Sequence, residues 1–421
     1  MTDQLASADA HEPAMRIAFV VLHTSPLDEP GTKDAGGMNV VVVHQAAELA
    51  RLGHEVELIT RRSSPDLPET VELSSGVTVR HLDVGPPRLL AKGDHEALME
   101  EFGVALADHL REQPCDVLHA EHWFSGIAAL PASRELGIPL VQSYHSIAAD
   151  PHSPLTEGER PESPGRLAGE KRLAGEVDLV VAVSEAERAT ILGRLGADPD
   201  RVRVVPLGVD TRMFRPCEPG ECAERREWLD RGGRPEVLVA GRLHPLKGVD
   251  LAVRAVAAIP EDRRPVLRVI GVPPPDGDDY ARSLHELVAE SGMLSTVAFD
   301  GALRRQDLAE RLRRTTLVLM PSHSETFGLV ALEGEASGIP VIARSVGGLR
   351  ESVVDGETGL LLTGDDPEVW AAAIERLLAD EELATRMGKA ARRFALTRNW
   401  RASARKLVGV YRDLLVSSAG R

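Results

Sequence analysis

The chain has only three cysteines among 421 residues, 3% aromatic residues, and fewer basic side chains (49 Lys and Arg) than acidic ones (65 Asp and Glu). Each shortage excludes something. Cys115, Cys217 and Cys222 stand at unrelated spacings, and an odd count of this kind reads as reduced thiols, with metal binding by the last two as the minor alternative. A formal net charge of -16 argues against nucleic acid or an anionic membrane as the main partner, since both repel an acidic surface. No apolar run approaches the roughly 18 residues of a spanning helix. Residues 1–14 are polar, which predicts a disordered tail rather than an export signal, and a cytoplasmic protein.

What is present is a rhythm, in a chain long enough for two domains. Short apolar runs recur at residues 16–22, 56–60, 117–119, 140–144, 179–183 and 202–205, with helical patterning between them, as at residues 39–52. Strand alternating with helix predicts an α/β fold built on a parallel, doubly wound sheet. Residues 206–234, rich in Pro, Gly and charge, break the rhythm, and it resumes at 237–240, 267–270, 317–320 and 341–343. The expected organisation is a Rossmann-like domain over residues 15–215, a linker over 216–235 and a second Rossmann-like domain over 236–395. A C-terminal helix over 396–421 is expected to cross back to the first domain. Open parallel sheets bind ligands beyond the carboxyl ends of their strands, so the site belongs in the cleft between the domains.

The residues with chemical potential lie at those strand ends. After the first strand, Gly36 and Gly37 open a helix, where a bare backbone and the helix dipole suit a phosphate; a tight strand-to-helix turn is the plainer explanation. In the second half, Arg242 and Lys247 follow a strand and could neutralise a departing diphosphate, or form a solvated surface pair. The segment Pro321-Ser322-His323-Ser324-Glu325-Thr326-Phe327-Gly328-Leu329-Val330-Ala331-Leu332-Glu333 carries a loop acid, a helix start near Gly328 and a second acid one turn in. The amides of Leu329 and Val330 could meet phosphate, with Glu325 and Glu333 accepting from hydroxyls at either end of an extended ligand.

Together these residues resemble the retaining glycosyltransferases of the GT4 family, which have the GT-B fold. The marks are Gly36-Gly37, Gly241-Arg242 with Lys247-Gly248, Glu325 and Glu333 eight apart, and Val346-Gly347-Gly348-Leu349-Arg350-Glu351 running on to Gly356 and Gly359. The resemblance implies a nucleotide-diphosphate sugar held by Gly36, Gly37, Thr326, Phe327, Gly328, Leu329, Val330 and Glu333. In it Arg242 and Lys247 hold the diphosphate, Glu325 and His145 meet the donor sugar, and Glu333 meets the ribose. It also implies retention of anomeric configuration without a carboxylate nucleophile.

Within residues 16–60, His23-Thr24-Ser25-Pro26-Leu27, Pro30-Gly31-Thr32 and Asp34-Ala35-Gly36-Gly37-Met38-Asn39-Val40 look like a mycothiol-pathway subfamily. That subfamily moves N-acetylglucosamine from its UDP donor to inositol phosphate. Its acceptor phosphate is held by a lysine, a tyrosine, a threonine and an arginine, which align with Lys92, His122, Ser146 and Arg166, so two of the four differ. Because of those changes, and because an acidic protein suits a cationic acceptor, the expected acceptor is 2-deoxystreptamine, an aminocyclitol of antibiotic biosynthesis. Inositol phosphate is the alternative, and Asn39 is a further acceptor-side candidate. No metal or other cofactor is expected: Asp276-Gly277-Asp278-Asp279 reads as a surface turn, and His119 and His122 lack a third ligand. An NAD-dependent oxidoreductase lacks its glycine fingerprint here, a non-catalytic sugar-binding protein would need no nucleotide, and a homodimer is left open.

Overall fold

The computed structural model describes residues 13–29, 36–274 and 277–419. Pro30 to Ala35, part of the mycothiol-type motif, and Asp276 lie outside the described residues. The first domain is an eight-stranded sheet of β1 (Arg16–Val21), β2 (Glu55–Arg61), β3 (Thr70–Ser74), β4 (Val77–Leu82), β5 (Val117–Glu121), β6 (Leu140–Ser143), β7 (Leu179–Ala182) and β8 (Val202–Val204). Its order is β3-β4-β2-β1-β5-β6-β7-β8, and only β3 runs antiparallel. The second domain is a parallel six-stranded sheet of β9 (Glu236–Ala240), β10 (Val266–Ile270), β11 (Val297–Gly301), β12 (Leu317–Met320), β13 (Val341–Arg344) and β14 (Gly359–Leu362), in the order β11-β10-β9-β12-β13-β14.

The central strands are buried on both faces because helices cover both, which is why they read as unbroken apolar runs. Four strands were not among the predicted runs. β3, β11 and β14 are sheet edges and β4 adjoins one; β3 alternates exposed and half-buried residues, and β11 is half-buried throughout. Edge strands bury less and so carry less apolar signal.

Five helices matter for the site: α1 (Gly37–Arg51), α2 (His122–Leu136), α3 (Arg166–Glu176), α4 (Leu329–Ala336) and α5 (Trp400–Ala419). The last returns to the first domain. Leu407, Tyr411 and Leu414 of α5 pack into one buried cluster with Phe19, Val21 and Val42, each large apolar chain contributing about 1.5–3 kcal/mol. At the crossing, His44 stacks on Trp400 with ring centroids 5.0 Å apart, and Val209 bridges to Asn399. No helix among the described residues is long and apolar enough to cross a membrane.

The segment between the sheets is not bare linker: it holds a helix, Pro219–Asp230, closed by a capping box between Glu218 and Glu221. The expectation of three reduced thiols is corrected here. Cys217 and Cys222 bracket the start of that helix, which brings their Cα atoms to 5.6 Å, and they form a disulfide; Cys115 is unpaired.

Candidate active site

The carboxyl ends of both sheets converge on a cavity of about 340 Å³. The loops after β1, β5 and β6 supply His23, His122, His145 and Ser146; those after β9, β10 and β12 supply Arg242, residues 271–274 and residues 325–328. This is where an open parallel sheet leaves strand-end loops uncovered.

On the second-domain side, Gly328 caps α4, and Leu329, Val330 and Glu333 line the cavity. The first-turn amides of such a helix have no intrahelical partner. Opposite, Gly36 caps α1 with nothing within 4 Å of where a Cβ would sit, and a Cβ on Gly37 would stand 3.4 Å from the Leu329 side chain. Two helix N-termini therefore face one space, a favourable place for a doubly charged phosphate group. Lys247 Nζ donates to Glu325 at 2.7 Å. The Glu325 loop is gripped from behind: a Cβ on Gly347, whose φ is +45°, would lie 2.0 Å from the Glu325 carbonyl oxygen. Gly348 N–H donates to that same carbonyl. This gives the Val346-to-Glu351 motif a mechanical role, and Glu351 adds a second one by accepting from the amides of Glu185 and Ala186 in the first domain. Thr326 also ties the domains, its hydroxyl donating to the His145 carbonyl at 3.0 Å and its carbonyl accepting from Ser184 at 2.7 Å. Phe327 is buried beneath this loop.

Glu333 is buried and paired with Arg305 at 2.6 Å; burial raises its carboxyl above the usual range and Arg305 only partly offsets this. One Glu333 oxygen keeps no hydrogen-bond partner. Arg305, which also lies over the Phe214 ring, was missed in the sequence although it opens the helix that follows β11. Gly271 was missed too: at φ +138° a Cβ there would meet the Gly241 carbonyl at 1.9 Å, so only glycine lets the loops after β9 and β10 lie together.

The first-domain corner holds Lys92, His122 and Ser146 along the cavity wall. His122 has a φ of +68°, and neither of its ring nitrogens has a hydrogen-bond partner, although Glu162 Oε1 stands 4.0 Å from Nε2. Burial, and then the charge of Lys92, hold it and its neighbour His23 neutral. Burial also lowers the Lys92 ammonium, opposed by Glu159. Two predicted contacts do not reach the cavity. Arg166 at the start of α3 is fully buried; its guanidinium binds Glu162 and Glu170 and donates to Ser146 Oγ at 2.9 Å. It acts behind Ser146, which itself lines the cavity. Asn39 is turned inward, to Thr24 and the Ser25 carbonyl, so its role is to tie the loop after β1 to α1.

Glu159, also missed because nothing marks its loop, spans the cleft: it accepts from Arg242 at 2.9 Å. Burial alone would raise its carboxyl, but Lys92, Arg242 and Arg166 outweigh burial and hold it well below the usual range.

With this geometry the comparisons become specific. A model of the family described as Glycosyltransferase Family 4 matches residues 35–213, and one described as Glycosyl transferases group 1 matches residues 222–394. A D-inositol 3-phosphate glycosyltransferase of Frankia alni is 41% identical over 94% of this chain and 99% of its own. The chain is a family 4 glycosyltransferase. Another D-inositol 3-phosphate glycosyltransferase, from Kineococcus radiotolerans, is 41% identical over 94% of this chain and 95% of its own. The glycosyltransferase also superimposes on sucrose-phosphate synthase of Thermosynechococcus elongatus with a TM-score of 0.85 at 30% identity, over 96% of this chain and 100% of that one. It has the GT-B fold, and the oxidoreductase and non-catalytic readings fall away. Its two sheets are the two Rossmann-like halves of that fold, with the shared cavity between them.

Proposed function

We propose that this glycosyltransferase moves N-acetylglucosamine from UDP-N-acetylglucosamine to an inositol phosphate, with retention at the anomeric carbon, in the cytoplasm and without a metal. The observation that carries the reading is the grouping of Lys92, His122 and Ser146 at one corner of the cavity. An ammonium, an imidazole without a hydrogen-bond partner and a hydroxyl that meets Arg166 form a donor set for phosphate. The names of the relatives at 41% identity support the same acceptor, and they turn the balance away from 2-deoxystreptamine. His122 and Ser146 then stand as replacements that still donate hydrogen bonds.

Across the cavity, Arg242 and Lys247 would take the diphosphate from Glu159 and Glu325, and the facing starts of α1 and α4 would share its charge. Glu325 would then accept from donor-sugar hydroxyls and Glu333 from the ribose. The leaving phosphate deprotonates the acceptor hydroxyl on the same face of the sugar, so the chain need supply only position and charge.

A second reading, 2-deoxystreptamine, is favoured by Glu159 and Glu162, whose carboxylates flank Lys92 and could meet ammonium groups. The test is UDP release with inositol phosphate, unphosphorylated inositol and 2-deoxystreptamine, in the wild type and in Lys92→Ala. The reading expects a strong preference for the phosphorylated ring that Lys92→Ala abolishes. Equal rates with and without the phosphate would end it.

A further inference from the structure

Glu121 ends β5 with its side chain wholly buried, and one carboxylate oxygen has no hydrogen-bond partner. The other accepts from His145 Nε2. A buried carboxylate is costly unless a neighbouring charge answers it. The titratable groups around the pair come from every packed element: His119 on β5, His122 at the start of α2, His23 after β1, and Glu187 in the helix Glu185–Thr190. His119 is neutral, since burial takes it to about 4; its Nδ1 meets the Tyr411 hydroxyl of α5 at 2.6 Å and its Nε2 meets Ser143 at 2.9 Å. His23 and His122 are neutral for the same reason. Burial pushes Glu187 up to about 7, so it carries little charge in mildly acidic solution. His119 and then His145 draw the Glu121 carboxyl down against burial, and of the two His145 is the one hydrogen-bonded to it. Burial would lower its pKa, but the Glu121 carboxylate outweighs burial and holds it above 6.5.

The backbone fixes the same ring. His145 sits at φ +60°, a conformation that L-residues adopt only under constraint and that collects at functional sites. Its carbonyl is clamped by Thr326 of the other domain. Its side chain lines the cavity, and with Nε2 committed to Glu121 the other nitrogen, Nδ1, has no partner among the described residues.

We propose that Glu121 is a positioning residue for glycosyl transfer: by holding His145 Nε2 it fixes the imidazole ring so that Nδ1 is presented to the donor sugar. The proposal rests on the reading in which that sugar lies against His145. Two experiments on the full chain separate the two. Imidazole NMR titration of the ligand-free protein, needing no substrate, should show His145 titrating above 6.5 and falling by about one unit or more in Glu121→Gln. An unmoved titration overturns the proposal whatever the substrates are. Donor turnover to UDP, measured as hydrolysis of UDP-N-acetylglucosamine without acceptor as well as with it, should fall about tenfold in kcat with little change in KM. The alkaline limb of its pH profile should move to lower pH, and Glu121→Asp should keep part of the rate. In a His145→Asn background Glu121→Gln should cost nothing further; a full additional loss, or unchanged kcat alongside a shifted titration, overturns the positioning role.

Discussion

Arg242 and Glu159 meet at 2.9 Å from opposite domains, so the cation proposed for the diphosphate and a carboxylate that faces Lys92 hold each other across the cleft. Lys247 is engaged in the same way by Glu325. On the proposed reading both cations would exchange a carboxylate for phosphate oxygens as the donor enters, and the donor would compete with a contact that joins the domains.

Glu159→Gln removes that competitor and a negative charge near the diphosphate. UDP should bind more tightly, by about fivefold if the pair is worth about 1 kcal/mol, as read by calorimetric titration. Weaker UDP binding would mean that Glu159 supports the donor site.

Glu333→Gln keeps the shape and the second-turn position in α4 but loses a charged acceptor. UDP affinity should fall about tenfold or more, with acceptor KM little changed. A loss confined to the acceptor would remove Glu333 from the ribose.

Arg166→Leu should act on stability more than on binding, because it strands Glu162 and Glu170 beside a buried gap. Removing one member of a buried ionic cluster costs about 3–5 kcal/mol, so thermal melting should drop by several degrees. A variant with wild-type melting and a raised acceptor KM would return Arg166 to the phosphate.

Glu335, buried in α4, has its carboxyl pushed up to about 8 by burial, opposed by Thr358 and Arg398. A carboxyl raised in the folded state contributes stability fully below the unfolded value near 4.5 and loses it as pH climbs through 8. Melting temperature should therefore decline from pH 5 to 9, and less steeply in Glu335→Gln. Parallel curves for the two proteins would contradict the assignment.

How far the sequence carried the reading depends on where a residue lies. Strands such as β9 and β12, buried on both faces, show as apolar runs, and Arg242 and Glu325 just beyond them could be singled out because strand ends are where such sheets bind, whereas His145 after β6 stood out only by the family resemblance. Edge strands β3 and β11 gave weak signals for want of burial. Glu159 and Arg305 acquire meaning only from partners in other segments, 83 residues away for the Glu159–Arg242 pair, which no local pattern carries. Arg166 and Asn39 show the converse: polar residues in the right region whose side chains are spent on neighbours, a fact of packing. The disulfide likewise depended on a helix start that the linker's composition concealed.

The central claim is the choice of acceptor, and one competition tests it most directly. Purified protein is given UDP-N-acetylglucosamine with equal amounts of inositol 3-phosphate and 2-deoxystreptamine in one vessel, and products are identified by mass. The account predicts an added N-acetylhexosamine on the inositol phosphate alone. Addition to the aminocyclitol alone would contradict it.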